Sequence, residues 1–133
     1  MTIRVFDSID ALSAAAADEL AAIACDAVDA PGTCAVALAG GSTPRRLFQL
    51  LAARGKSALP WDNVELWWGD ERAVPPDHAD SNYRMAREAL IDPLGLSHVH
   101  RVAAEDPDHD RAAHAYERAL VAALGTPPVF DYM

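Results

Sequence analysis

Apolar residues recur every three to four positions over residues 8–28, where Leu12, Leu20, Ile23 and Ala27 fall on one stripe. That spacing predicts an amphipathic helix, and Pro31-Gly32 is its expected stop. The period then changes. Residues 33–39 form a near-continuous apolar run of strand length, the pattern of a parallel strand buried on both faces. Pro44 suits the first turn of a second helix running to about residue 53, with Leu47, Phe48, Leu50 and Leu51 on its inner side and Gly55 as its stop. A second strand over 64–68 leads into a polar segment over 69–80. Ser81 or Asn82 is the expected cap of a helix to Ile91, which Pro93 and Gly95 should break. A third strand is expected over 98–102 and a helix over 108–124, stopped by Thr126-Pro127-Pro128. Residues 129–133 open like one more strand.

Strands alternating with helices of ten or more residues imply right-handed β–α–β units. The expected fold class is therefore α/β: a three-layer α/β/α arrangement around a mainly parallel, Rossmann-like sheet, with residues 1–133 in a single domain. Ligands bind beyond the carboxyl ends of the strands in such sheets. The polar segments 40–44 and 69–82 both follow strands at that end, so they can face one pocket. A chain that stops on the opening of a buried strand reads as a domain cut short at its C-terminus.

Composition narrows the class. With 51% hydrophobic residues the chain has enough apolar material for a core, and disorder is not expected. No apolar run approaches the roughly 20 residues of a membrane span. The N-terminus lacks the layout of a signal peptide, so a cytoplasmic protein without a membrane partner is expected. Cys25 lies in a helical pattern and Cys34 in a strand pattern, and both read as buried structural thiols. No ligand spacing suggests a metal. The net charge of −9 argues against a nucleic-acid partner. Between Gly40 and Leu90, seven bases balance seven acids, so the negative charge falls on the rest of the chain. A middle relieved of negative charge suits an anionic small ligand.

The candidate chemistry sits in that middle. Leu38-Ala39-Gly40-Gly41-Ser42-Thr43-Pro44 places a glycine pair between a strand and a helix start. Glycines let backbone approach a ligand, Ser42 and Thr43 offer hydroxyls, and the first helical amides lack partners at the positive end of the dipole. A bound phosphate is one reading, and a tight β–α turn with a Ser/Thr cap is the other. Asp70 and Arg72 likewise read either as ligand-binding groups or as an ion pair closing their loop.

Trp68-Gly69-Asp70-Glu71-Arg72-Ala73-Val74-Pro75, followed by Ser81-Asn82, resembles the 6-phosphogluconolactonases when taken with Ala39-Gly40-Gly41-Ser42-Thr43-Pro44. That family carries a GGSTP-type loop after one strand and a GDER-x-V-P…S-N stretch after the next. The resemblance runs over essentially the whole chain. It implies hydrolysis of 6-phospho-D-glucono-1,5-lactone to 6-phosphogluconate in the oxidative pentose phosphate pathway, with no cofactor. By the same resemblance Gly40, Gly41, Ser42 and Thr43 supply amides and hydroxyls to the phosphate, and Arg72 pairs with it. Asp70 then orients Arg72 or accepts from sugar hydroxyls, and Asn82 either touches the ligand or caps its helix.

The general base of the family is a histidine in a motif resembling G-x-G-x-D-G-H-x-A-S-L-F-P, which follows the strand that here reads Phe130-Asp131-Tyr132-Met133. It is expected beyond Met133, so this chain alone should hydrolyse the lactone poorly. His78 is the nearest substitute; His98, His100, His109 and His114 show neither metal spacing nor a paired nucleophile. Glucosamine-6-phosphate deaminases share the fold and a G-S-T-P loop, but their acidic motif reads Asp-Glu-Tyr, where this chain has Arg72. A non-catalytic sugar-phosphate-binding protein is the alternative outside enzyme chemistry. Oligomeric state is left open by the sequence.

Overall fold

A computed structural model describes residues 3–29 and 32–133; Met1, Thr2, Ala30 and Pro31, the last with its expected helix stop, lie outside the described residues. The element order is α1 (Ile9–Asp29), β1 (Cys34–Leu38), α2 (Ser42–Arg54), β2 (Val64–Trp68), α3 (Asn82–Ala86), α4 (Asp92–Leu94) and α5 (His109–Leu124). Ser8 caps α1, its hydroxyl accepting from the Ala11 amide at 3.1 Å. Gly55 (φ 81) ends α2 with its amide on the Ala52 carbonyl.

β1 and β2 pair in parallel from Cys34 opposite Val64 to Leu38 opposite Trp68. Two further segments extend the sheet by single parallel bridges, Tyr132 beside Val36 and Val99 beside Leu66. The order across the sheet is therefore 131–132, β1, β2, 98–100, with every pairing parallel. Every β1 residue is buried, as the near-continuous apolar run requires. On one face, Val36, Leu38, Val64, Leu66 and Trp68 form a core with Leu20 and Ala24 of α1, Phe48 and Leu51 of α2, and Met85 and Leu90. On the other face Trp67 is buried, with His100 stacked on it at 4.0 Å and Tyr116 of α5 packed edge-on at 5.9 Å. The Tyr116 hydroxyl accepts from the Trp68 amide (2.7 Å) and donates to the Trp68 carbonyl (3.1 Å), pinning α5 to the end of β2. Burial raises the pKa of this phenol.

α2 spans Ser42–Arg54, with Pro44 in its first turn as expected. Three expectations need correction. The third strand is reduced to a bridge at Val99; beyond it, Arg101 is held in a fork by Glu105 (2.8 and 2.7 Å). Pro93 does not break its helix: residues Arg87–Ile91 widen into a π turn, the Asp92 amide reaching back to Arg87, and Pro93 rides inside the next turn until Gly95 stops it. The wide turn removes the clash a proline ring makes with the carbonyl four residues earlier. Cys25 is exposed, whereas Cys34 is buried and its thiol is pushed up to about 11 by burial and by the nearby Asp131 carboxylate. No described helix is long and apolar enough to cross a membrane.

Candidate functional site

The register that sets Leu38 against Trp68 also decides where the site can form. The Gly69 amide donates to the Leu38 carbonyl at 3.0 Å, so the ladder holds up to the point where both chains leave the sheet. The two polar segments therefore emerge side by side, about 4.8 Å apart at their roots.

Gly41 is the N-cap of α2, with φ 103 and ψ 175, a conformation that strains any residue with a Cβ. No side chain caps this helix. Its first intrahelical bond runs from the Arg45 amide to the Gly41 carbonyl at 3.2 Å, which leaves the Ser42 and Thr43 amides without a helical partner. Gly40 answers a different demand. A Cβ there would lie 1.9 Å from Oδ1 of Asn82, a buried side chain arriving from the second loop.

The second loop is tied to the start of α3 by its own carboxylate. Glu71 Oε1 accepts from the Asn82 amide (2.7 Å) and from the Arg72 amide (2.7 Å). Its Oε2 accepts from the Tyr83 amide (2.8 Å) and the Ser81 hydroxyl (3.2 Å). Ser81 is the N-cap, its hydroxyl accepting from the Arg84 amide at 3.1 Å. Asn82 is thus the first helical residue and not the cap. Its side-chain amide donates instead to the carbonyl and to Oδ1 of Asp70 (3.2 and 3.3 Å). Asp70 forms no ion pair with Arg72 among the described residues, so it holds Asn82 rather than the arginine.

Between the loops lies an open polar cavity of about 320 Å³ lined by Gly41, Ser42, Arg45, Arg72, Asp80 and Asn82, among others. Arg45 and Arg72 have no ion-pair partner among the described residues. Two unpaired guanidiniums beside an uncapped helix start suit an anion. The neighbouring Arg46, one position on, is spent on Asp10 of α1 at 2.5 Å. Thr43 instead borders an apolar groove with Leu12, Leu20 and Leu47 and is not among the residues around the polar cavity. His78 is not a lining residue either: its Nδ1 accepts from the Asp80 amide at 3.1 Å. No group of three or more His, Cys, Asp or Glu side chains among the described residues is arranged to hold a metal.

The cavity accordingly brings together Gly41, Ser42 and Arg72, with Gly40 packed behind them and Asp70 one hydrogen bond away. Sequence reasoning missed Arg45, Asp80 and Glu71. For Arg45 the signal was its place right after the Gly-Gly-Ser-Thr-Pro turn.

Residues 7–133 match the family model described as glucosamine-6-phosphate isomerases/6-phosphogluconolactonase. The chain belongs to this family. Within it, the 6-phosphogluconolactonase of Nostoc sp. is 36% identical over 129 residues, an alignment covering 96% of this chain and 52% of that protein. The 6-phosphogluconolactonase of Mycobacterium tuberculosis is 39% identical over 139 residues, covering 98% of this chain and 56% of the relative. Among solved structures, the 6-phosphogluconolactonase from Trypanosoma cruzi superposes with a TM-score of 0.80 at 30% identity, over 98% of this chain and 57% of the other. The chain spans about half the length of the curated relatives it matches. The α/β fold with a parallel sheet is thus the fold of the 6-phosphogluconolactonase family.

Proposed function

We propose that residues 1–133 are the N-terminal part of a single 6-phosphogluconolactonase domain and supply its phosphate-binding half, in a cytoplasmic enzyme without a nucleic-acid or membrane partner. The substrate is 6-phospho-D-glucono-1,5-lactone. Its phosphate sits over Gly40, Gly41 and the amides of Ser42 and Thr43, with the Ser42 hydroxyl as a further donor and the guanidiniums of Arg72 and Arg45 on the cavity side. The observation that carries this reading is the meeting of an uncapped helix start with two unpaired arginines in one cavity. α3 offers no competing anion site, because the Glu71 carboxylate already occupies its first amides.

Hydrolysis needs a base that takes a proton from water as the oxygen attacks C1, followed by cleavage of the C1 to ring-oxygen bond. We assign that base to a histidine beyond Met133. Asp70, exposed and with only Oδ1 engaged by Asn82, is free to accept from a sugar hydroxyl through Oδ2. Titration of the 133-residue chain with 6-phosphogluconate tests the binding half. Binding is expected, and R72A should raise the dissociation constant about 10- to 100-fold, the worth of charge-assisted hydrogen bonds. Lactonase turnover by this chain should be slow, and full turnover would overturn the placement of the base. Preferential binding of glucosamine 6-phosphate would favour the deaminase reading, which the arginine at position 72 opposes.

A further inference from the structure

We propose that Glu71 is a positioning residue for ligand binding: its carboxylate fixes the backbone of Arg72 against the start of α3 and so holds the guanidinium at the cavity. The inference rests on the reading of Arg72 as a phosphate ligand. Arg72 lies four residues beyond the end of β2 and its side chain has no ion-pair or hydrogen-bond partner among the described residues, so nothing at the tip of the side chain holds it. Its backbone is held instead. The four donors on Glu71 come from both ends of the loop, the Arg72 amide on one side and Ser81, Asn82 and Tyr83 on the other. One carboxylate thus closes a bracket around residues 73–80, which include Asp80 of the cavity wall. The adjacent contact continues the bracket across the site: the Asn82 side chain, held by Asp70, fills the space beside Gly40 and sets the two loops in register.

Both carboxylate oxygens accept two hydrogen bonds each, so glutamine cannot stand in. Its amide nitrogen would face two donors in place of one of those oxygens. The test is a cycle of E71Q, R72A and the double variant, read as dissociation constants for 6-phosphogluconate. E71Q should weaken binding about tenfold when Arg72 is present and less than twofold when it is absent, the signature of one residue acting through another. Equal losses in both backgrounds, or a fall in thermal stability with unchanged binding, would overturn the proposal. If R72A itself leaves binding unchanged, the phosphate reading fails and the cycle shows that separately. Should E71Q not fold, amide exchange in the unaltered chain decides. The Asn82 and Tyr83 amides should be protected although they stand in a first helical turn, and exchange as fast as in open loop sites would sink the bracket.

Discussion

At the residue scale, Gly40 and Gly41 are both glycines but for unrelated reasons. Gly41 is required by its φ of 103, and Gly40 by the Asn82 side chain at its α-hydrogen face. G40A is therefore expected to expel the Asn82 amide from its contacts with Asp70 and to cost about 1–3 kcal/mol, the range for forcing a methyl into a filled site. Urea unfolding checks the cost, and binding of 6-phosphogluconate should fall with it. An unchanged unfolding midpoint would mean that Asn82 has another place to go. The motif made both glycines visible in the sequence, but not this distinction. A close approach between positions 40 and 82 depends on tertiary placement, and no local pattern encodes it. Glu71 was hidden for the same reason: a carboxylate in a loop reads as solvated until the helix start it caps is brought to it.

At the element scale, the strongly periodic segments were legible and the marginal ones were not. α1, α2 and α5 begin and end within a few residues of their expected bounds because each carries a long apolar stripe of helical period, with Gly55 as the stop of α2 and Asp108 as the cap of α5. The segment 98–102 reads as a strand but pairs only through one bridge, Val99 beside Leu66. His98 and His100 both reach Glu65 of β2 and hold the segment beside it, but pairing stops after one bridge, where Arg101 pairs with Glu105 four residues on. The Arg101 guanidinium holds the Glu105 carboxyl down at about 2. A group whose pKa is lowered by folding adds stability above its unfolded value, about 4.3, and loses it as the pH falls toward the folded one. The stability difference between the unaltered chain and E105Q should accordingly be constant above about pH 5 and shrink between about pH 4.3 and 2. A difference that stays flat through that window would show that the pair does not form.

At the scale of the whole molecule, β1 is one of the two inner strands, flanked by β2 and by residues 131–132. The second contact is made partly by a side chain. Asp131 Oδ2 accepts from the Ala35 amide at 2.7 Å, and the Asp131 amide donates to the Ala35 carbonyl at 2.9 Å. D131A should strand the Ala35 amide in a buried position and cost about 1–3 kcal/mol of unfolding free energy, measurable by denaturant titration. No loss would mean that residues 131–132 lie outside the cooperative unit. The general arrangement, parallel strands with helices between them and polar loops at one end, followed from the alternation of periods. Which segments flank β1 did not, since backbone pairing can join any two extended segments and nothing local in the sequence names the partner.

That pairing sets a timetable for the ribosome. Ala35 waits for a residue 96 positions downstream, and at about 5–20 residues per second the interval is about 5–20 s. For that time one edge of an entirely apolar strand is exposed in the nascent chain. A β-rich neighbour or a chaperone has longer to reach it than the strand itself needs to fold.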